Sequence, residues 1–238
     1  MNVPGEDALL GRFGFYGGAL YIRELGACVA ADVHIGLEET LYSQGLHFPL
    51  HEEAILQERF RAVIDLFRPS VFVLAGDILH SFDRLGRSVR QKFSSILSTL
   101  QASCEVVLVR GSHDVMLPSA GAGSLERYDA GGYTVIHGDL AVEDHGLLVM
   151  GHEHPVIEIE MDRFPCFLFG QRLVRGEDVI VLPAFNPLSR GVTINYARRS
   201  DFLSPLLRKA DCSRLQPVVE AGGEVVLLPP LAAVRRFA

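Results

Sequence analysis

A chain of 238 residues with 48% hydrophobic residues can bury a sizeable core, and its length admits one large α/β domain or two small ones. A net charge of −7 argues against a surface that grips nucleic acid over its whole area, though not against a local basic patch. Four scattered cysteines without a C-x-x-C pair disfavour a zinc knuckle or a dithiol redox motif, no basic-then-apolar leader opens the sequence, and no apolar run approaches the ~20 residues of a bilayer span. The expectation is a soluble, cytoplasmic protein in which Cys28, Cys104, Cys166 and Cys212 are packing residues.

In chain order, short strands are predicted over 12–16 and 19–23, followed by an apolar run over 27–31 that leads into Asp32. A helix is predicted over 50–67, where Ile55, Leu56, Phe60, Val63, Ile64 and Phe67 recur at helical spacing, and Pro69 ends it. Val71–Ala75 is short and apolar, as a strand buried on both faces requires. A second helix, over 85–100, precedes another such strand at Glu105–Val109. Strand–helix–strand–helix–strand is the signature of right-handed parallel crossovers. After a small-residue loop over 119–124 the helix signals fade. Short strands are predicted at Tyr133–Ile136, Leu147–Met150, 156–160, 166–170, 178–182 and 222–228, and a second, mostly antiparallel sheet packed on the first accounts for them. With no repeat and no long Pro/Gly/Ser linker, residues 1–238 read as a single domain.

Six of the 9 histidines fall in five short blocks, each following an apolar run. They are Asp32-Val33-His34, Gly76-Asp77-Ile78-Leu79-His80, Gly111-Ser112-His113-Asp114, His137-Gly138-Asp139 and Gly151-His152-Glu153-His154. Ligands of parallel α/β sheets gather beyond the carboxyl ends of the strands, so the blocks should converge on one rim. Asp32 and His34, like His152 and His154, are two apart and would point to the same side of an extended strand. Carboxylate oxygen and imidazole nitrogen without thiolate suit Mn²⁺, Fe²⁺, Zn²⁺ and similar ions. Gly76, Gly111 and Gly151 would permit sharp turns and close approach.

Read in series, the blocks resemble the motifs of the calcineurin-like metallophosphoesterase superfamily: D-x-H, G-D, G-N-H-[D/E], a lone H, then G-H-x-H. The third block departs at one position, where Ser112 replaces the asparagine. Gly76-Asp77-Ile78-Leu79-His80-Ser81 is similar to the second motif of SbcD-type repair nucleases. Pro165-Cys166-Phe167-Leu168 and Leu182-Pro183-Ala184-Phe185-Asn186-Pro187-Leu188 resemble a mostly archaeal group of small SbcD-related phosphoesterases. The resemblance implies a four-layer α/β/β/α metallophosphoesterase sandwich of two mixed sheets flanked by helices. It implies two divalent metal ions, Mn²⁺ first, with Fe²⁺, Zn²⁺, Ni²⁺ or Co²⁺ as alternatives. Asp32, His34 and His154 would hold the first ion, Asp77 would bridge, and His137 and His152 would hold the second with Ser112 as a weak ligand. His113 would be the catalytic histidine, oriented by Asp114. His80 is either a second group touching the phosphodiester or a hydrogen-bonded helix-start residue.

The substrate class implied is a phosphodiester: DNA, RNA or a nucleotide, with no membrane partner and a homodimer as one option for assembly. Hydrolysis of a small phosphodiester such as a cyclic nucleotide is the alternative within enzymes, followed by a phosphomonoesterase. A scaffold that has lost catalysis is the alternative outside them, and Ser112 is its one supporting feature. Other polar residues carry less. Arg110 could reach a phosphate or sit in a surface ion pair, Asp139 and Glu153 would support ligands or be solvated, and Asn186 would cap a turn. His47, His51 and His145 read as ordinary polar residues, and the pairs Arg198–Arg199 and Arg235–Arg236 are too small to form a nucleic-acid groove.

Overall fold

The computed structural model describes residues 11–46, 50–81 and 84–234; His47 and the Arg235–Arg236 pair lie outside them. The first sheet has five strands side by side in chain order: β1 (Phe13–Tyr16), β2 (Ala19–Ile22), β3 (Ala27–Ala30), β4 (Val71–Ala75) and β5 (Glu105–Val109). The first three are antiparallel, and β3, β4 and β5 run parallel. Three helices fall between these strands: α1 (Leu37–Ser43), α2 (Glu52–Phe67) and α3 (Arg87–Gln101).

Residue alternation along β3 and β4 assigns one side chain to each face. Cys28, Ala30, Phe72 and Leu74 pack outward against the helices, while Val29, Ala31, Val73 and Ala75 pack inward. The helices answer with stripes at helical spacing, Leu56, Phe60 and Val63 on α2 and Val89, Phe93, Ile96 and Leu100 on α3. Pro69 bars helix continuation, and Arg68 closes α2 in the left-handed conformation, its amide donating to Ile64 O at 2.7 Å.

The second sheet has nine strands: β6 (Tyr128–Ala130), β7 (Tyr133–Ile136), β8 (Leu147–Met150), β9 (Pro155–Ile159), β10 (Asp162–Val174), β11 (Glu177–Val181), β12 (Val192–Thr193), β13 (Gln216–Ala221) and β14 (Glu224–Leu227). They are ordered β12-β9-β10-β11-β8-β7-β6, with β13 pairing β10 and β14. β7–β8, β8–β11 and β9–β12 are parallel and the remaining pairs antiparallel. One apolar core joins the two sheets, with Phe15, Val29 and Val73 meeting Val135, Val149, Phe167 and Ile180.

The outer face of the second sheet packs against single turns at Arg199–Asp201, Leu207–Lys209 and Cys212–Arg214 and against the one-turn helix α4 (Leu231–Val234). Phe202, Leu206, Leu207, Leu215 and Leu231 fill that layer. The architecture is the expected α/β/β/α sandwich of two mixed sheets, with a fourth layer thinner than a layer of full helices. The predicted strand at 222–228 begins two residues late, at Glu224. Gly222 and Gly223, with φ of 63° and 85°, form the two-residue turn between β13 and β14. No helix among the described residues is long and apolar enough to cross a membrane. All four cysteines are free, and three are buried.

Candidate metal centre

Parallel strands end together, and that places the blocks. Asp32, Asp77 and the loop from Gly111 follow β3, β4 and β5, while His137 and His152 follow the parallel strands β7 and β8 of the other sheet. The carboxyl ends of both sheets therefore meet along one rim.

The backbone there differs from the extended geometry expected of Asp32/His34 and His152/His154. Asp32, His34, Asp77, His152 and His154 all have left-handed φ, at 56°, 45°, 45°, 73° and 45°. Such conformations cost about 1–3 kcal/mol each and persist only where surrounding contacts over-determine them. Here the chain turns at each ligand and is pinned between strands: Asp32 N donates to Gly76 O at 3.1 Å, and His34 N donates to Asp77 O at 2.9 Å. His152 N donates to the Asp32 carboxylate at 2.9 Å. Convergence comes from these turns, not from side-chain alternation.

Two ligand sets result. In the first, His154 Nε2 lies 3.2 Å from Asp32 Oδ1 and 3.3 Å from His34 Nε2. In the second, Asp77, His137 and His152 converge, with His137 Nε2 at 3.3 Å from Asp77 Oδ1. Within each set one donor atom per residue falls inside 4.8 Å of the others. The sets adjoin, since His137 Nδ1 is 3.7 Å from Asp32 Oδ1.

The electrostatics suit a cation. Burial opposes the charge on Asp32, but His154, His137 and His34 outweigh it and hold the carboxyl below its usual range. Asp77 is held low in the same way, against burial, chiefly by His137. Burial pushes His34 down to about 4 and lowers His152, leaving neutral imidazoles able to donate a lone pair. His137 is raised to about 9, because Asp77 and Asp32 overcome its burial. Yet Asp32 Oδ1 and both ring nitrogens of His137 are buried without a hydrogen bond among the described residues. Orphaned buried polar atoms cost about 1–3 kcal/mol each. A divalent ion would take the Asp32 oxygen and one ring nitrogen of His137, donors of the type such ions prefer, so the residues present fit the metal.

The calcineurin-like phosphoesterase profile matches residues 28–210, a span that contains every block. The chain belongs to the calcineurin-like phosphoesterase family. It is a metal-dependent phosphoesterase, a hydrolase. Its structure is similar to that of the Pseudomonas putida nuclease MPE, with a TM-score of 0.65 and 21% identity over 91% of this chain and 94% of that chain. At that identity the likeness shows the shared fold. No curated protein matches the chain.

The glycines of this phosphoesterase act between blocks. A Cβ on Gly111 would fall 2.2 Å from Asp77 N and 2.3 Å from Asp77 Oδ1, and one on Gly76 would fall 2.4 Å from His137 Nδ1. On Gly151 it would fall 2.6 Å from Asp32 Oδ2. Each missing side chain is the space a ligand from another block occupies.

The remaining predicted residues divide. Ser112 is exposed and its hydroxyl donates to Asp77 Oδ1 at 3.3 Å, beside the second set. His113 donates its main-chain amide to the same oxygen at 2.9 Å, and its ring stands 5.3 Å from that of His34 and 5.5 Å from that of His80. His80 Nδ1 is 3.3 Å from His34 Nδ1, which puts His80 in the site and not at a helix start. Asp114 departs from its expected place beside the His113 ring. Its oxygens accept from the amides of Leu79 at 2.9 Å and Gly111 at 2.8 Å, so it fixes the loop backbone. Burial lifts its carboxyl to about 6.

Glu153 is buried and accepts from the Leu203 and Ser204 amides, and Arg110 is paired with Glu126 at 3.0 Å. Asn186 does cap a turn, accepting from Leu188 N at 3.0 Å, but it does more. Its amide donates to Val33 O, to His34 O and to the buried carboxylate of Glu52. Glu52 in turn accepts from Gly36 N at 3.0 Å and from Lys92 Nζ at 3.2 Å. Ser189 Oγ lies 3.1 Å from His154 Nδ1, which turns Nε2 toward Asp32. Sequence reasoning missed Glu52 and Ser189. Glu52 reads as an ordinary acidic residue in a helix's first turn, and nothing local marks Ser189.

Proposed function

We propose that this phosphoesterase is a phosphodiesterase of nuclease type that works with two divalent metal ions, Mn²⁺ first and Fe²⁺, Zn²⁺, Ni²⁺ or Co²⁺ as alternatives. The observation that carries the reading is the pair of adjoining ligand sets, Asp32–His34–His154 and Asp77–His137–His152. In this reading Asp77 serves both ions and Ser112 offers the second a hydroxyl. Bound ions of this kind polarise a phosphoryl group and make water a nucleophile at neutral pH.

The protein's own contribution is placement. Asp114 and Asp77 hold the backbone on either side of His113, and the His113 ring lies against His34 and His80 in an open cleft of about 410 Å³. From there His113 donates a hydrogen bond to a phosphate oxygen or a proton to the leaving group, and His80 supplies a second donor. The described core between the two sheets supports treating the chain as one domain.

Support for nucleic acid comes from the similar Pseudomonas putida protein, which is a nuclease. A second reading, a small nucleotide as substrate, is favoured by Arg190 being the one arginine or lysine among the described residues that line the cleft. The test is a substrate panel with Mn²⁺-loaded protein. Degradation of single-stranded DNA without turnover of cyclic nucleotides is the expected result, and the reverse pattern would overturn it in favour of the second reading.

A further inference from the structure

The cleft over the metal centre is lined by two unlike groups of side chains. One is made of His34, Asp77, His80, His113, His152 and His154. The other is made of Leu37, Leu41, Leu46, Leu188 and Leu203, with Arg190 among them. These leucines arrive from three separate stretches of chain: α1 with the residues after it, the loop past Asn186, and the loop below Glu153. Leu46 and Leu203 keep 39% and 47% of their surface exposed. One exposed leucine means little, but five converging on a polar reaction centre form a binding wall.

Arg190 is exposed, and its side chain makes no hydrogen bond or ion pair among the described residues; only its carbonyl is engaged, by Arg163. An unpaired guanidinium beside a phosphoester site is an anion partner. The volume of about 410 Å³ is that of a pocket for one small molecule. The cleft's described lining holds one arginine and no lysine, not the line of cations that follows a phosphate backbone.

We propose that the leucine wall is the subsite for a single unstacked base, the one carried by the nucleotide whose phosphate sits at the metal centre, with Arg190 taking an outer phosphate oxygen. The proposal rests on the phosphodiesterase reading above and narrows it to nucleoside phosphates with a free base: a single-strand end or a small nucleotide. Leucine side chains offer no hydrogen bonds to base edges, so the subsite holds any base and selects for its being unpaired.

The test measures binding. Isothermal titration of the Mn²⁺-loaded full chain compares dAMP with deoxyribose 5-phosphate, which carries the same phosphate without the base. The expected result is that dAMP binds about tenfold more tightly, the gain that corresponds to about 1.4 kcal/mol from burying one base face against the leucines. Leu46→Asn and Leu203→Asn, both at solvent-facing positions that accept a polar side chain, should each cut that ratio severalfold while the sugar phosphate binds as before. Equal affinities in the unaltered protein, or a ratio unmoved in both variants, would overturn the subsite. If bis(p-nitrophenyl) phosphate is still hydrolysed then, only the subsite falls. If that ester is untouched and neither ligand binds, the phosphodiesterase reading falls with it. Cleavage of single-stranded overhangs ahead of blunt duplex identifies a strand end as the source of the base, and cleavage of cyclic AMP identifies a free nucleotide.

Discussion

The two ligand sets differ in what stands behind them. The Asp32–His34–His154 set is braced from outside: Ser189 engages the far nitrogen of His154, and Asn186 ties the carbonyls of Val33 and His34 to the buried Glu52. Lys92 neutralises Glu52 from α3, which links this set to the helical layer. The Asp77–His137–His152 set has less. The ring nitrogens of His137 face only the ligand carboxylates Asp32 and Asp77 and have no outer hydrogen-bond partner among the described residues, and the one hydroxyl beside the set is that of Ser112, on Asp77 Oδ1. Outer partners fix ring orientation and ligand basicity before the metal arrives. The braced set should therefore bind its ion more tightly, and the other should fill last.

The largest effect should come from removing Asp77, the carboxylate proposed to serve both ions. Asp77→Asn is expected to lower turnover by about 10³-fold or more, since a buried carboxylate would have no substitute if it serves both ions as proposed. Metal analysis should show both ions weakened; loss of only one would mean that Asp77 does not bridge. Gly111→Ala should reach a similar end without touching a ligand, because its Cβ would displace the Asp77 backbone and carboxylate.

Next is His113→Ala, which separates chemistry from metal holding. A positioned general acid contributes about 10²–10⁴-fold. Turnover should fall by that factor with metal content unchanged in both sets. A variant that keeps the unaltered rate would remove His113 from the mechanism.

Ser189→Ala acts on the braced set alone. Loss of such an outer partner costs about 10–100-fold in metal affinity. Titration calorimetry with Mn²⁺ should show the tighter of two binding steps weakened and the looser one unmoved, with Ser189→Thr restoring the first. A change confined to the looser step would reverse the comparison.

The same contrast explains what sequence could reveal. β4, β5, β7 and β8 are legible to the residue; β4 and β8 read as unbroken apolar runs because they are buried on both faces, and β5 and β7 as short β-branched runs between turn signals. The ligands were legible because they follow such runs. The sequence predicts only 166–170 of β10, since Pro165 resembles a strand boundary, whereas the strand spans Asp162–Val174. Pro165 is tolerated inside the strand because it faces only β9, the pairing with β13 beginning at Cys166. The left-handed turns at five site residues and the Asn186–Glu52 bond had no local signature. Each depends on contacts between segments distant in sequence, Asn186 meeting Val33 across 153 positions. The Asp114 misplacement has the same origin: adjacency to His113 in sequence suggested a pair, while the fold spends its carboxylate on the Leu79 and Gly111 amides.

The smallest expected effect is the most direct on the comparison. Ser112 stands where the family motif carries asparagine, and its hydroxyl is committed to Asp77 Oδ1. An amide oxygen at this position would reach farther and is a better donor to a hard cation than a neutral hydroxyl. If the second set is loose because Ser112 is a poor ligand, Ser112→Asn should lower the Mn²⁺ needed for half-maximal activity severalfold and leave turnover at saturating Mn²⁺ nearly unchanged. The tighter binding step should not move, since Asn186, Glu52 and Ser189 lie on the other set. An unchanged titration would show that the weakness of the second set lies elsewhere, and the unsupported ring of His137 would then be the group to brace.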